Sequence, residues 1–337
     1  MKKTIVVTGG GTGGHLSVAR SFIDELSSRE YNVIFIGSTK GQDKKWFEEY
    51  PKLYKTYFLD TKGVVNQNFF GKFFSLWMIF KAVLKSRKII KDNNVSKVIS
   101  VGGFSAAAAS FAAIITKIDF YIHEQNSVVG RLNTLTSKYA KELFSSYLES
   151  SKVKDYPISE KFFDISRVRE NVNTIIFLGG SQGASAINNF ALQVAPKLKE
   201  MNIKIIHQTG RNDFSYIQKE YHRLNIDVDL FDFSNELLNK MNKADFAVSR
   251  SGASTLWELV AVGVPTFFIP YPYAAANHQY HNAKFLLEND LCFLQNEKEL
   301  DSEYFFKCLE TDIEFKSKKL INTIHKDAVK NIVDIII

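Results

Sequence analysis

Two stretches of this chain repeat one design. TIVVTGGGTGG begins at Thr4 and NTIIFLGGSQGAS at Asn173, and each runs an apolar strand into a glycine turn and then a helix. A strand buried on both faces reads as an unbroken apolar run, and it needs helices packed on either side. The alternation continues behind both openings. Strands are predicted at Thr4–Thr8, Asn32–Ile36, Lys97–Val101 and Phe120–His123, with helices over Val18–Ser28, Phe73–Asp92 and Ala106–Thr116. The second round predicts strands at Asn173–Leu178, Lys204–Gln208, Phe246–Val248 and Pro265–Ile269, with helices over Ala186–Met201 and Tyr216–Leu224. Two rounds of βαβ predict an α/β protein with two doubly wound parallel sheets. Each sheet offers a ligand position at its carboxyl edge, and the pair offers a cleft. Pro157 interrupts the pattern and marks the join, which divides the chain into 1–157 and 158–321.

Composition narrows the class. Hydrophobic residues at 45% and charged residues at 23% describe a globular chain rather than a disordered one. Cys292 and Cys308 belong to no CxxC pair and no histidine cluster, so they read as buried thiols in a reducing compartment. The N-terminal MKK precedes an apolar run that suits a first strand and not a signal peptide. No apolar run approaches the roughly twenty residues that span a bilayer. A cytoplasmic protein is expected. The net charge of +7 suits nucleic acid, an anionic membrane or phosphorylated substrates. No helix-turn-helix, zinc or aromatic-sheet signature accompanies that charge, so nucleic acid is not expected.

The most informative stretch is Ala244–Pro265, ADFAVSRSGASTLWELVAVGVP. Phe246–Val248 reads as a buried strand, Ser249–Ser254 as a polar turn, and the residues from Thr255 as a helix stopped by Gly263 and Pro265. A helix N-terminus behind a strand end presents unpaired N–H groups and the positive end of its dipole to an anion. Glu258 lies four residues beyond Ser254 and can accept two ribose hydroxyls. The pattern points to a nucleotide with its sugar attached.

Gly9–His15 contains GxGxxG, but the second strand ends at Gly37-Ser38-Thr39 without the acidic residue that an NAD ribose needs about twenty residues on. The glycines still allow close approach to a diphosphate or a lipid phosphate, and His15 at the mouth is the best general-base candidate. Further polar strand ends are Ser100–Ser105, His123–Asn126, Gly179–Gly183 and Asn277–Asn282. His278 and His281 hint at a metal but lack a third ligand, so none is expected. Asp227-Val228-Asp229 is a literal DxD, read here as a strand with both carboxylates on one face. Asn68–Lys91 interleaves aromatic and basic residues with no acid among them. It fits either an anionic membrane interface or a core helix with a solvated basic end.

Six motifs in order resemble one family: GGGTGGH from Gly9, GGFSAA from Gly102, HEQN from His123, GGSQGA from Gly179, SRSGASTLWE from Ser249 and HQYHNA from His278. They resemble the glycosyltransferases of peptidoglycan synthesis that add N-acetylglucosamine to the lipid-linked muramoyl-pentapeptide (lipid I) and form lipid II. The resemblance implies the GT-B fold of two Rossmann-like domains, with a C-terminal helix near Asn322–Ile337 returning to the first. It implies a lipid I acceptor and peripheral docking on the inner face of the bacterial cytoplasmic membrane for the first domain. For the second it implies UDP-N-acetylglucosamine, with no cofactor and no metal.

By motif, Ser181 and the turn of Ala253, Ser254, Thr255 and Leu256 meet the diphosphate and sugar edge. Glu258 takes the ribose and Ser234 the uracil, while Thr12, Gly13, Gly14, Asn126 and Gln279 face the donor sugar. His278 competes with Gln279 for the last of these positions. The catalytic base is His15 by first choice and Glu124 by second. Two departures stand out. The family's arginine after the interdomain proline is Ser159 here, leaving its role lost or passed to Lys161 or Arg167, and the proline after the first-loop histidine is Val18. A UDP-N-acetylglucosamine 2-epimerase on the same fold and a non-catalytic membrane adaptor are the alternatives.

Overall fold

The computed structural model describes residues 2–61, 69–180, 183–234 and 236–337, with the backbone alone over 69–74. Two compact units result, Met1–Ile158 with Asp327–Ile337 and Ser159–Lys326.

In the first unit the strands are β1 (Thr4–Thr8), β2 (Asn32–Ser38), β3 (Lys55–Leu59), β4 (Val95–Ser100), β5 (Asp119–Glu124) and β6 (Glu142–Ser145). Its helices are α1 (Gly13–Ser28), α2 (Asp43–Phe47), α3 (Phe69–Asp92), α4 (Ala107–Thr116) and α5 (Arg131–Thr136). All strands are parallel, in the order β3-β2-β1-β4-β5-β6. The chain therefore reverses direction across the sheet between β1 and β4, which opens a crevice at their carboxyl ends. Alanines explain how the helices close over one face. Ala108, Ala109, Ala112 and Ala113 of α4 let α3 approach, so Ala82, Val83 and Ile90 pack with them on Val6, Ile34 and Val98.

The second unit repeats the plan with β7 (Thr174–Leu178), β8 (Lys204–Gln208), β9 (Asp229–Phe231), β10 (Phe246–Ser249), β11 (Thr266–Phe268) and β12 (Phe293–Leu294). Its helices are α6 (Lys161–Asp164), α7 (Ser185–Glu200), α8 (Phe214–Arg223), α9 (Leu237–Lys243), α10 (Ala253–Val262), α11 (His278–Glu288), α12 (Ser302–Leu309) and α13 (Ile313–Ile321). The order β12-β11-β10-β7-β8-β9 puts the reversal between β7 and β10. Phe190, Phe267 and Phe305 interlock on one face with ring centroids 5.3–6.1 Å apart. Such aromatic contacts add to the area they bury. The last helix, α14 (Ala328–Ile336), packs on α1, and Arg29 pairs with Asp334 and donates to Lys330 O. Asn322–Lys326, expected to travel with that helix, belong instead to the second unit, where Lys326 pairs with Asp164.

Three expectations need correction. The first helix starts at Gly13 and not Val18, so Gly13, Gly14 and His15 form its opening turn, and Val18 is wholly buried inside it. The helix after β10 starts at Ala253 rather than Thr255. The strand expected across Asp227–Asp229 begins only at Asp229, whose carboxylate holds Lys240 at 2.6 Å. Strands β3, β6 and β12 were not predicted; the first two are partly exposed and β12 has only two residues, so none carries a strong apolar run.

Candidate active site

The crevice of the first unit is lined by two glycine turns that touch backbone to backbone. Gly10 N donates to Gly102 O at 3.2 Å. A Cβ added to Gly103 would lie 2.3 Å from Gly10 O, and the residue has φ +80°, so only glycine fits there. Asp43 braces the arrangement from below. Its buried carboxylate accepts from Gly11 N at 2.5 Å and Ser38 N at 2.9 Å, and burial raises its pKa. Sequence reasoning missed Asp43, because an isolated acid in a polar stretch carries no local signal.

Thr12 stands at the N-cap position of α1, and its Oγ1 lies 2.8 Å from His15 Nδ1 rather than on a backbone N–H. If Nδ1–H donates to that hydroxyl, the lone pair of the imidazole sits on Nε2. A Cβ on Gly102 would be 3.6 Å from that nitrogen, so Nε2 lies beside the second glycine turn. His15 is partly exposed, as a base in contact with substrate must be.

The strand end His123–Asn126 divides sharply. His123, Glu124 and Gln125 are 1–3% exposed, and only Asn126 reaches partly into solvent. Burial, with the nearby His15 adding to it, drops the His123 pKa to about 3 and keeps its ring neutral. Gln125 ties β5 to β4 through Val101 O at 3.2 Å. Glu124 accepts from Asn126 N at 2.9 Å, Gly130 N at 2.9 Å and Asn133 Nδ2 at 2.8 Å. With both oxygens held and almost no exposure, Glu124 is built to shape this turn and is poorly placed to take a substrate proton. That removes the ground for its second-choice reading as the base.

In the second unit the carboxyl end of β10 feeds the turn Arg250–Gly252 and then α10, with Gly252 at the N-cap. Leu256 N is already bonded to Gly252 O at 2.9 Å and its side chain is fully buried. The helix therefore offers Ala253, Ser254 and Thr255, and Leu256 drops out of the expected contacts. Glu258 lies one turn along from Ser254. Its half-buried side chain makes no hydrogen bond or ion pair among the described residues, and partial desolvation raises its pKa to about 7. A desolvated carboxylate without a partner is costly, and ligand hydroxyls would relieve it.

Helix α11 leans on the same turn. Ser251 Oγ donates to Gln279 O at 2.8 Å and Asn282 Nδ2 to Ser251 O at 3.2 Å. Gln279 Oε1 accepts from Tyr271 N at 3.0 Å, leaving Nε2 to face Gly252. His278 Nδ1 is held by Ala275 O at 2.8 Å, so each of the two residues weighed for the donor-sugar contact has one side-chain atom engaged and one nitrogen, Nε2, besides. Arg250 clamps the turn from beneath, donating to Ile269 O and Pro270 O and pairing with Glu297. Ser234 Oγ caps the next turn by accepting from Glu236 N at 2.9 Å. Ser181 lies outside the described residues. Arg167 is bound to Asp245, which also holds Asn173 N and Thr174 N at the amino ends of the strands. It cannot stand in for an arginine at the carboxyl edge.

The N-terminal domain model of glycosyltransferase family 28 matches residues 5–145, and the C-terminal domain model matches 174–336. The UDP-N-acetylglucosamine–N-acetylmuramyl-(pentapeptide) pyrophosphoryl-undecaprenol N-acetylglucosamine transferase of Sulfurovum sp. (strain NBC37-1) is 50% identical over 99% of this chain and 98% of its own length. The protein of that name from Wolinella succinogenes is 45% identical over 99% of both chains. The chain belongs to this family. It is a UDP-N-acetylglucosamine-dependent N-acetylglucosamine transferase of peptidoglycan synthesis. A crystal structure of MurG from Acinetobacter baumannii shares the fold, with TM-score 0.81 and 24% identity over 99% of both chains. A UDP-GlcNAc 2-epimerase from Neisseria meningitidis shares it more distantly, at TM-score 0.66 and 14% identity over 98% of both chains. Together these place the chain in the GT-B fold.

Proposed function

We propose that the chain transfers N-acetylglucosamine to the C4 hydroxyl of the muramoyl sugar of lipid I in one inverting displacement, forming lipid II. The hydroxyl oxygen attacks the anomeric carbon, the bond to the UDP oxygen breaks, and His15 Nε2 takes the hydroxyl proton. Thr12, Gly13, Gly14, Asn126 and Gln279 are assigned to the donor sugar, and Ser234 to the uracil, on their motifs alone. The N–H groups of Ala253, Ser254 and Thr255 and the α10 dipole meet the charge left on UDP. Ser181 is proposed to share that contact on its motif alone. The observation that carries the donor site is Glu258, a desolvated carboxylate without a protein partner where a ribose would present two hydroxyls.

The acceptor is lipid-linked, and α3 supports docking on an anionic bilayer. Ser75, Ala82, Val83, Ser86 and Ile90 turn inward, while Leu76, Trp77, Phe80 and Leu84 are 49–56% exposed along the other side. Trp77 and Phe80 stack at 5.9 Å, Lys81 lies 5.1 Å over Trp77, and Lys85, Arg87 and Lys88 are exposed. The helix thus serves as core and surface at once. Among the described residues no helix is long and apolar enough to cross a membrane. The proposed location is peripheral, on the cytoplasmic face of the bacterial inner membrane.

Transfer of labelled N-acetylglucosamine from the UDP-sugar to a lipid I analogue, with EDTA present, tests the reading. Product is expected. UDP-sugar binding with free sugar released and no lipid II would move the assignment to the epimerase-like reaction.

A further inference from the structure

We propose that Arg211 is a donor-binding residue that holds the UDP diphosphate, an inference that rests on the second unit being the donor site. A diphosphate in that crevice needs positive charge at the carboxyl edge of the sheet. Among the described residues, the loops between β7 and α7, β8 and α8, β9 and α9, β10 and α10, and following β11 carry two cations there, Arg211 and Arg250. Arg250 is occupied by Ile269 O, Pro270 O and Glu297. Arg167 sits with Asp245 at the opposite edge. Ser159, in the position where the resemblance places an arginine, brings no charge, Lys161 lies on α6 outside these loops, and Lys298 follows the edge strand β12, three strands from β7. Arg211 is exposed and has no hydrogen bond or ion pair among the described residues.

The loop that carries Arg211 is tied by hydrogen bonds on both sides of that residue. Thr209 N donates to Phe231 O at 3.0 Å, and Asn188 Nδ2 donates to Thr209 O at 3.1 Å and Asp213 Oδ2 at 2.8 Å. Ser185 Oγ also donates to Asp213 Oδ2 at 2.8 Å, so that oxygen of the carboxylate in the same loop is already engaged. Asn188 Oδ1 accepts from His207 Nε2 at 3.0 Å, and His207 Nδ1 in turn meets Tyr221 OH at 2.9 Å. Burial keeps that histidine neutral, which suits one ring nitrogen donating and the other accepting.

This loop borders the glycine turn after β7. Gly179 N donates to Gln208 O at 3.1 Å, and a Cβ on Gly183 would lie 2.7 Å from Thr209 O. On its other side β7 pairs with β10, whose turn leads into α10. A diphosphate over the β7 turn is therefore flanked by the α10 N-terminus and by Arg211, with strands about 4.8 Å apart. The guanidinium fork matches phosphate oxygens two at a time.

Calorimetric titration of the full chain with UDP and with uridine tests this. Arg211→Gln is expected to weaken UDP roughly 10- to 100-fold while uridine stays within about twofold, and Arg211→Lys to recover part of the loss. UDP affinity within about twofold of the parent overturns the proposal. Equal weakening of UDP and uridine also overturns it, because that marks a packing role for the loop. The donor-site reading is checked separately by Glu258→Gln, expected to weaken UDP and uridine alike. A parent protein that binds neither ligand would overturn both the donor site and Arg211's role in it.

Discussion

Thr12 Oγ1 lies 2.8 Å from His15 Nδ1, so the cap of α1 holds the imidazole within the first turn of the same helix. If His15 is the base, His15→Ala lowers turnover about 100-fold or more with little change in donor affinity. Thr12→Val leaves the base in place but removes that contact to Nδ1, and a smaller loss, on the order of tenfold, is expected in kcat. Steady-state kinetics on a lipid I analogue separate the two. Turnover of His15→Ala within a few fold of the parent would rule the histidine out.

Glu258 makes donor binding depend on pH. Its carboxyl is raised from the ordinary 4.5 to about 7 by desolvation, whereas ribose hydroxyls donate to the ionised form. Donor affinity should therefore weaken as pH falls below about 7, with proton release on binding near neutrality. Folding carries the opposite dependence. The raised pKa favours the protonated native state, so the contribution is lost as pH rises through that value. Glu258→Gln should flatten both dependences, and a UDP affinity that keeps the parent's pH profile would count against this role.

Glu124→Gln tests a structural carboxylate. Placing an amide against Gly130 N or Asn126 N loses an acceptor in a buried turn, with an expected cost of about 1–3 kcal/mol. A lower Tm with an unmoved acid limb in the pH–rate profile is the expected result. A displaced limb with unchanged Tm would restore Glu124 as a proton acceptor.

The exposed face of α3 predicts membrane affinity. Replacing Trp77 and Phe80 together with serine should reduce partition onto anionic vesicles by roughly 10- to 100-fold, since each aromatic contributes apolar area to the interface. Turnover of a short-chain, water-soluble acceptor should stay within about twofold, because both residues belong to the exposed face of α3 and not to the glycine turns beside His15. Unchanged vesicle binding would leave α3 as a core helix only.

Asp245 predicts a stability effect. Its carboxylate holds Arg167 and the N–H groups of Asn173 and Thr174, all at the start of β7 and β10. Asp245→Ala strands these donors and should lower stability by about 2–4 kcal/mol in denaturant unfolding, with no selective loss of UDP over uridine affinity.

The sequence by itself determined the two sheets and the places where chemistry gathers. Long apolar runs such as Ile5–Val7 and Ile175–Leu178 have no stable position except a buried strand, and the glycines after them permit only a tight turn into a helix. Order along the chain then set the loops at one edge of each sheet. Tertiary structure decided which polar residues remain available there. HEQN reads as four equal side chains, yet Glu124 is closed off by Gly130 and Asn133, six and nine residues further on. Arg167, Arg211 and Arg250 are equally charged in sequence. Asp245 binds the first at the amino edge, Glu297 binds the third, and the second is left exposed. Local pattern carries burial because burial follows periodicity, but a side chain's partner comes from a distant part of the chain, and only the folded geometry brings the two together.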